Sequence, residues 1–288
     1  MRTVFLVIEN ARTALHWFYD HAAWVFLIWI TTALVVDIIL RRKNARDAQI
    51  QLDDTASVVA GIAFLGFKSV ASKIILFSMS VWVYENLAPI HLYLGDWWVW
   101  IGVFVARDFI YYWVHRAEHR SKVLWASHMV HHSPTTINYW TALRTPWMEE
   151  LYKPFIALWM PLIGFHPASV LCIDVLIALY GQLVHSEKRN YPTWWQRYFV
   201  TPSMHRVHHA SNSIYIDKNF GAVFSCWDRM FGTYAKETVQ PKYGLVGDAS
   251  LSTSRILLTG GYPSLWAGAR NHRGLLAKVS YVCSPPGK

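Results

Sequence analysis

The sequence predicts an all-α integral membrane helical bundle, about three spans plus a helical hairpin, with a cytoplasmic histidine-rich cap built for two metals. Three observations predict it. Hydrophobic residues make up 53% of the 288 and charged residues only 16%, against roughly 25% charged in soluble domains. The apolar residues fall into long unbroken runs, as helices crossing a bilayer core about 30 Å thick require. The 14 histidines gather at helical spacings. This composition excludes a disordered chain. The 16 Trp and 15 Tyr suit membrane–water interfaces, where such rings collect. A net charge of +9 fits nucleic acid or anionic lipid, and the apolar bias selects lipid, with no nucleic acid partner. Cys172, Cys226 and Cys283 are odd in number and far apart, so no disulfide framework or thiol zinc site is expected.

The elements follow in chain order. Residues 22–40 are long and apolar enough for a span, and Arg41, Arg42, Lys43 and Arg46 behind them mark the cytoplasmic side. Arg2, Glu9, Arg12 and Asp20 precede it without a signal-peptide core, so the span is expected to be retained. Residues 57–67 read as a short interfacial or buried helix and 69–88 as the next span, stopped by Pro89. Residues 97–114 form a third, edged by Trp97, Trp98 and Trp100 and by Tyr111, Tyr112 and Trp113. The alternation brings His115 out on the cytoplasmic face. Two apolar runs, 151–165 and 168–184, are split by Gly164, His166 and Pro167. They read as a hairpin that returns His185 to the same face. No span-length run follows, so 186–288 reads as a cytoplasmic part packed on the helices. The expected divisions are 1–114, a transmembrane region; 115–247, a histidine-box region including the hairpin 151–184; and 248–288, a tail.

Three stretches hold eight histidines: His115-Arg-Ala-Glu-His119, His128-Met-Val-His131-His132 and His205-Arg-Val-His208-His209. Residues three or four apart share a helix face, so each stretch presents two or three imidazoles toward one point. His185 ends an apolar helix at the same depth and joins them. Nine nitrogen ligands exceed one metal and suit two, with four or five each. Imidazole serves iron, copper, zinc and nickel alike, and spacing does not separate iron from zinc. Catalytic zinc usually takes three protein ligands, whereas a doubled, neutral, all-histidine set leaves the metals strongly cationic and suits redox iron working with O2. At a membrane edge, the chemistry that fits is oxidation of an unactivated C–H bond in a lipid. His16, His21, His91, His166 and His272 fall outside the pattern and read as structural. Adjacent His-His pairs argue against haem. A site at the membrane edge argues against a transporter. There is no Rossmann fingerprint, phosphate loop or nucleophile elbow, so a reductant must come from an electron-donor protein or a diffusible molecule.

The order of these boxes, with the lone histidine after a hairpin, resembles the fatty acid hydroxylase/sterol desaturase superfamily. The flanks sharpen this: Arg107-Asp108 before His115, Leu124-Trp-Ala-Ser-His128, Asn138, Thr141-Ala-Leu-Arg144, Thr201-Pro-Ser-Met-His205, Tyr215-Ile-Asp-Lys-Asn219-Phe-Gly221 and Trp227-Asp-Arg-Met-Phe-Gly-Thr-Tyr234. They are similar to the alkylglycerol monooxygenase-like branch with its compact bacterial members. The resemblance covers about residues 50–247. It implies an integral membrane, non-haem di-iron oxygenase: two Fe on His115, His119, His128, His131, His132, His185, His205, His208 and His209. It further implies a lipid substrate, O2 and an external electron donor. The compact form reads as bacterial and places the chain in an inner membrane, with endoplasmic reticulum as the alternative, and the alternation of spans turns the histidines to the cytoplasm.

Metal-bound imidazoles usually give their other N–H to a carboxylate or carbonyl. Asp108, seven residues before His115, is expected to be such a partner. Asp217 and Asp228, in stretches carrying the resemblance, are expected to orient ligands. Asn138 and Arg144 are expected to meet a polar substrate headgroup or to brace the site, with Arg144 alternatively only holding the fold. Glu118 reads as a surface charge or salt-bridge partner, facing away from the cluster. Two rival readings remain: a lipid or sterol desaturase on the same site, and a non-catalytic metal-binding membrane protein.

Overall fold

The computed structural model describes residues 53–61, 73–187, 191–246 and 253–287. The regular elements there are helices: α1 (53–61), α2 (Lys73–Leu87), α3 (Trp97–Arg120), α4 (Lys122–His132), α5 (Lys153–Ala157), α6 (Trp159–Leu162), α7 (Pro167–Val184), α8 (Thr193–Gln196), α9 (Pro202–His209), α10 (Cys226–Met230), α11 (Thr253–Thr259), α12 (Tyr262–Arg270) and α13 (Leu275–Cys283). Among the described residues no strand forms, and one isolated antiparallel bridge joins Phe199 to Phe224.

The axis of the molecule is α3, 24 residues long, or about 36 Å at the rise of an α-helix. Its buried positions are Val99, Val103, Asp108, Tyr112, His115, Glu118 and His119, spaced three to five apart up to Glu118, with His119 adjacent and one turn on from His115, and so drawn from one side of the helix. The outer half of that side is apolar. Val99 and Val103 pack with Met160, Phe165, Val170, Ile173 and Ile177 in the main apolar core. The inner half is polar, and this change along one helix face places the chemistry at its C-terminal end. Ser121, in extended conformation at φ −131°, separates α3 from α4, and the two helices pack together.

On the other flank α7 packs against α3. Its start is set locally: Pro167 occupies the first turn, and His166 Nδ1 accepts a hydrogen bond from the Ala168 amide at 3.1 Å, satisfying one of the free amides there. Its C-terminal end delivers His185. Among the described residues α7 is the one helix long and apolar enough to cross a membrane. The expected first arm of the hairpin, 151–165, differs from expectation. It is broken into a 3-10 turn (Trp147–Leu151), α5 and α6, because Pro154 and Pro161 each lack the N–H that a continuous helix uses. The expected span 22–40 lies outside the described residues, as do parts of 57–67 and 69–88.

The C-terminal helices close over α4. The Gly261 amide donates to Ala126 O at 2.7 Å, and the Lys122 amide donates to Ser284 O at 2.9 Å. Gly260 sits at φ +53° with its Cα against the Ala126 carbonyl, leaving no room for a Cβ, so only glycine takes this position without strain.

Candidate metal centre

All nine histidines singled out by spacing come together. His115 and His119 lie one turn apart on α3, His128, His131 and His132 on α4, His185 at the end of α7, and His205, His208 and His209 on α9. Eight are buried and His131 is half-buried. They divide into two groups: His115, His119, His128, His132 and His208 in one, and His131, His185, His205 and His209 in the other. Within each, the ring nitrogens lie within 4.8 Å of one another. The groups touch where His132 stacks on His209, ring centres 4.4 Å apart. His91 and His166 lie apart, against Tyr84, and His272 rests on Tyr281.

The orientation of the rings is specified from outside. His115 Nδ1 donates to Phe220 O at 2.9 Å, His208 Nδ1 to Lys218 O at 3.0 Å, His131 Nδ1 to Arg144 O at 3.2 Å and His185 Nδ1 to Gly181 O at 2.7 Å. A carbonyl only accepts, so each of these rings carries its proton on Nδ1 and turns a bare Nε2 inward. His128 Nδ1 meets the carboxylate of Glu149 at 2.9 Å with the same result.

Inside, the Nε2 atoms face one another. His115 and His128 are 3.1 Å apart, His128 and His132 3.2 Å, His131 and His185 3.2 Å, His185 and His205 2.9 Å, and His205 and His209 3.1 Å. At His115–His128 and His131–His185 both rings have spent Nδ1 as a donor, so two Nε2 lone pairs face each other and do not hydrogen-bond. Protonating the rings is no remedy. Burial holds His115 and His185 down to a pKa of about 4, and burial with the neighbouring imidazoles holds His128, His131, His132, His205, His208 and His209 well below the usual 6.5. His208 Nε2 is buried with no hydrogen-bond partner among the described residues. Converging bare nitrogens in a dry site are what a metal cation satisfies. Two nitrogens about 2.1 Å from a metal and at right angles around it stand roughly 3.0 Å apart, close to the spacings seen. The donor set fits two metals.

The other expected site residues have specific places. Asp217 Oδ1 is 3.8 Å from His119 Nδ1, and Asp217 Oδ2 accepts from Arg120 at 3.1 Å. Asp217 and Asn219 hold positive φ, 60° and 56°, a conformation Asx residues tolerate. Between them Lys218 turns its carbonyl to His208. Asn219 fixes the same loop through Met204 O, Ala235 O and the Ala235 amide. Asp228 touches no ring. It accepts from the amides of Phe220 at 2.7 Å and Gly221 at 2.9 Å and from the Thr233 hydroxyl at 2.7 Å, so it reaches His115 one step removed, through the Phe220 carbonyl.

Three expectations are corrected. Asp108 meets no histidine: it accepts from the amides of Val223 at 2.9 Å and Phe224 at 3.1 Å and from Trp227 Nε1 at 2.8 Å. Seven residues along a helix is roughly 10 Å of rise, beyond the reach of a carboxylate to His115. Asn138 and Arg144 are buried and turn their polar side-chain atoms into the protein, where no headgroup reaches. Asn138 Oδ1 accepts from the Trp140 and Thr141 amides while its Nδ2 donates to Asp54. The Arg144 guanidinium, 1% exposed, is turned to Ser57, Ser133 and Asp53. Arg144 still braces the site, through its carbonyl on His131. Glu118 is the salt-bridge partner among the two roles expected of it, not the surface charge, and it does not face away from the cluster. It is 1% exposed, pairs with Lys153 at 3.0 Å, accepts from Tyr152 and lies 3.4 Å from His128 Nδ1.

Sequence reasoning missed Glu149, Tyr152 and Lys153, which with Glu118 form a charged cluster behind His128, its two glutamates buried and Tyr152 and Lys153 half-buried. A signal existed for Glu118, which stands i+3 from His115 and so shares its helix face by the rule that linked the histidines. A small cavity of about 80 Å³ opens beside His119, His132, His208 and His209, with Trp125, Met129, Ile216 and Leu245 among its walls.

Comparison with known proteins adds the following. Residues 100–233 match the fatty acid hydroxylase family. Over 263 residues the chain is 30% identical to alkylglycerol monooxygenase from Homo sapiens, covering 91% of this chain and 58% of that protein. It is 30% identical over 142 residues to ornithine lipid hydroxylase OlsE from Rhizobium tropici, covering 46% of this chain and 40% of the other. It is 24% identical over 151 residues to a Delta(7)-sterol 5(6)-desaturase from Gibberella zeae, covering 48% and 43%. The chain thus spans a little over half the length of the human relative. No solved structure matches it.

Proposed function

Because this chain, through residues 100–233, belongs to the fatty acid hydroxylase/sterol desaturase superfamily, we propose that it is a membrane-bound non-haem di-iron enzyme that hydroxylates an alkyl C–H bond of a lipid with O2. The observation that carries this reading is the pair of histidine groups with bare Nε2 atoms turned inward. Bound there, two irons would supply the capacity to activate O2 toward an unactivated C–H bond. His115, His119, His128, His132 and His208 would hold one, and His131, His185, His205 and His209 the other.

The remaining work falls to the chain itself. Backbone carbonyls at Lys218, Phe220, Arg144 and Gly181 fix four rings by their outer nitrogens, so the ligands are aimed before metal arrives. Burial keeps the imidazoles neutral and able to bind a cation. The apolar side of the cavity beside His119 and His208, formed by Trp125, Met129, Ile216, Leu245 and Val246, suits the approach of an alkyl group. Exposed Trp82, Trp97, Trp98 and Ile101 on α2 and α3, with Leu176 on α7, support a lipid-facing surface and hence a membrane location. Electrons come from an external donor.

The similarity to a sterol desaturase favours a second reading, loss of two hydrogens on the same centre. One experiment separates these readings. The chain is purified from membranes, its metals are measured by elemental analysis, and lipids of expressing cells are profiled by mass. Hydroxylation adds one oxygen; desaturation removes two hydrogens. About two irons per chain, depleted in His128→Ala together with the lipid product, is the expected result. Zinc in place of iron from iron-rich cells, or no stoichiometric metal in a folded chain, overturns the proposal.

A further inference from the structure

The two histidine groups are not backed alike. In the four-histidine group the outer nitrogens of His131 and His185 go to neutral carbonyls, Arg144 O and Gly181 O. No carboxylate of the described residues stands within ion-pair distance of its four rings. In the five-histidine group, His128 Nδ1 meets Glu149 at 2.9 Å and Glu118 at 3.4 Å, and His119 Nδ1 faces Asp217 at 3.8 Å. Glu118 and Glu149 are 1% and 4% exposed, where charge acts over short range with little screening. Their positions are over-determined. Lys153 Nζ bridges them at 3.0 Å and 2.5 Å, and the Tyr152 hydroxyl donates to Glu118 at 2.5 Å.

Glu118, His128 and Glu149 converge closely enough to hold a cation of their own, but the ammonium of Lys153 already stands between the two carboxylates. The cluster is therefore a support, two carboxylates against one ammonium, pressed on a single ring. A carboxylate that takes the outer N–H of an imidazole orients the ring and makes its inner nitrogen more basic than a carbonyl does.

We propose that Glu149 is a positioning residue for the five-histidine group, through His128, and makes that group the tighter of the two metal sites. The inference rests on reading both groups as metal sites. Cation release then differs between two groups whose ligands are all histidine, because five ligands with carboxylates behind His128 and His119 hold more firmly than four with none.

The test follows metal release from the full-length protein, purified with its metal, under excess chelator, alongside circular dichroism. The wild type should release metal in two phases of about one ion per chain each. Glu149→Gln keeps the size and an acceptor oxygen but removes the charge. It should accelerate the slow phase 10- to 100-fold, the range for losing an outer partner, and leave the fast phase unchanged. His185→Ala should abolish the fast phase and leave the slow one. A purely structural role would quicken both phases together, which overturns the inference. So does single-phase release of two ions from the wild type, a result that needs no variant to fold and leaves the di-metal reading intact. A wild type without stoichiometric metal sinks that reading and the inference with it.

Discussion

Two sets of buried acids flank the histidines, and they do different work with the same functional group. Asp108 and Asp228, both 0% exposed, spend their oxygens on the amides of Phe220, Gly221, Val223 and Phe224, the Thr233 hydroxyl and the Trp227 indole. Glu118 and Glu149, equally buried, face an imidazole, an ammonium and a phenol. The first set holds a loop that winds past α3 and ends in carbonyls aimed at rings. The second set acts on a ring directly. The partner, not the burial, decides whether a buried acid shapes the backbone or tunes a ligand, and the two roles respond differently when perturbed.

Acid should break the comparison most severely, because both sets serve rings that must stay neutral. Burial lowers His115 and His185 to a pKa of about 4, against about 6.5 in the unfolded chain. Between those values the unfolded state binds more protons, so falling pH favours unfolding. The stability these groups contribute is complete above 6.5 and is lost progressively toward 4. At about 1.4 kcal/mol per pKa unit, the loss summed over both rings is on the order of several kcal/mol. Melting temperature measured from pH 7.5 to 4.5 should fall steeply in chelator-stripped protein and later in metal-loaded protein, where cation and proton compete for one lone pair. Coincident curves would contradict the assignment of these rings as ligands.

Asp228→Ala comes next. It strands the Phe220 and Gly221 amides in a dry interior, while the Thr233 hydroxyl keeps the Tyr112 hydroxyl at 3.0 Å. With about 1–3 kcal/mol for each of these two buried unsatisfied groups and partial relaxation, the expected loss is about 2–4 kcal/mol. Denaturant unfolding of the detergent-solubilised protein measures it. The loosened Phe220 carbonyl frees His115, and Lys218 O, on the same loop, frees His208, so metal should leave with the fold rather than from an intact chain. A variant of unchanged stability would remove Asp228 from the loop-holding set.

What was legible in the sequence follows the same line. The nine histidines could be read because their relations are local: i, i+3 and i+4 on one helix face, with His185 brought in by the apolar run before it. The all-helical character followed from the apolar runs, although Pro154 and Pro161 cut the arm at 151–165 into short turns. The partners of those histidines were not legible. Asp108 meets Val223, Phe224 and Trp227 across more than 110 residues, a pairing that no local period encodes. Arg144 and Asn138 looked like headgroup binders because they are polar beside the boxes. Their hydrogen bonds run to α1 and to their own turn, which only the fold brings near. Glu118 is the exception, a local relation applied to the histidines of its helix and not to the acid among them.

The smallest expected effect sharpens the comparison inside the glutamate pair. Glu118 and Glu149 share Lys153, but Glu149 stands 2.9 Å from His128 Nδ1 and Glu118 stands 3.4 Å away. At 2.9 Å an N–H donates well to a carboxylate, whereas at 3.4 Å the bond is marginal. Glu118→Gln leaves Glu149 on the ring, Lys153 on Glu149 and an amide oxygen for the Tyr152 hydroxyl. The slow phase of metal release should therefore quicken by less than tenfold, short of the effect of Glu149→Gln measured side by side. If Glu118→Gln has the larger effect, the nearer carboxylate is not the one that supports His128, and the order of the pair reverses. If neither substitution moves the slow phase, the charged cluster belongs with Asp108 and Asp228 as a device for holding backbone, and one role accounts for every buried acid around the site.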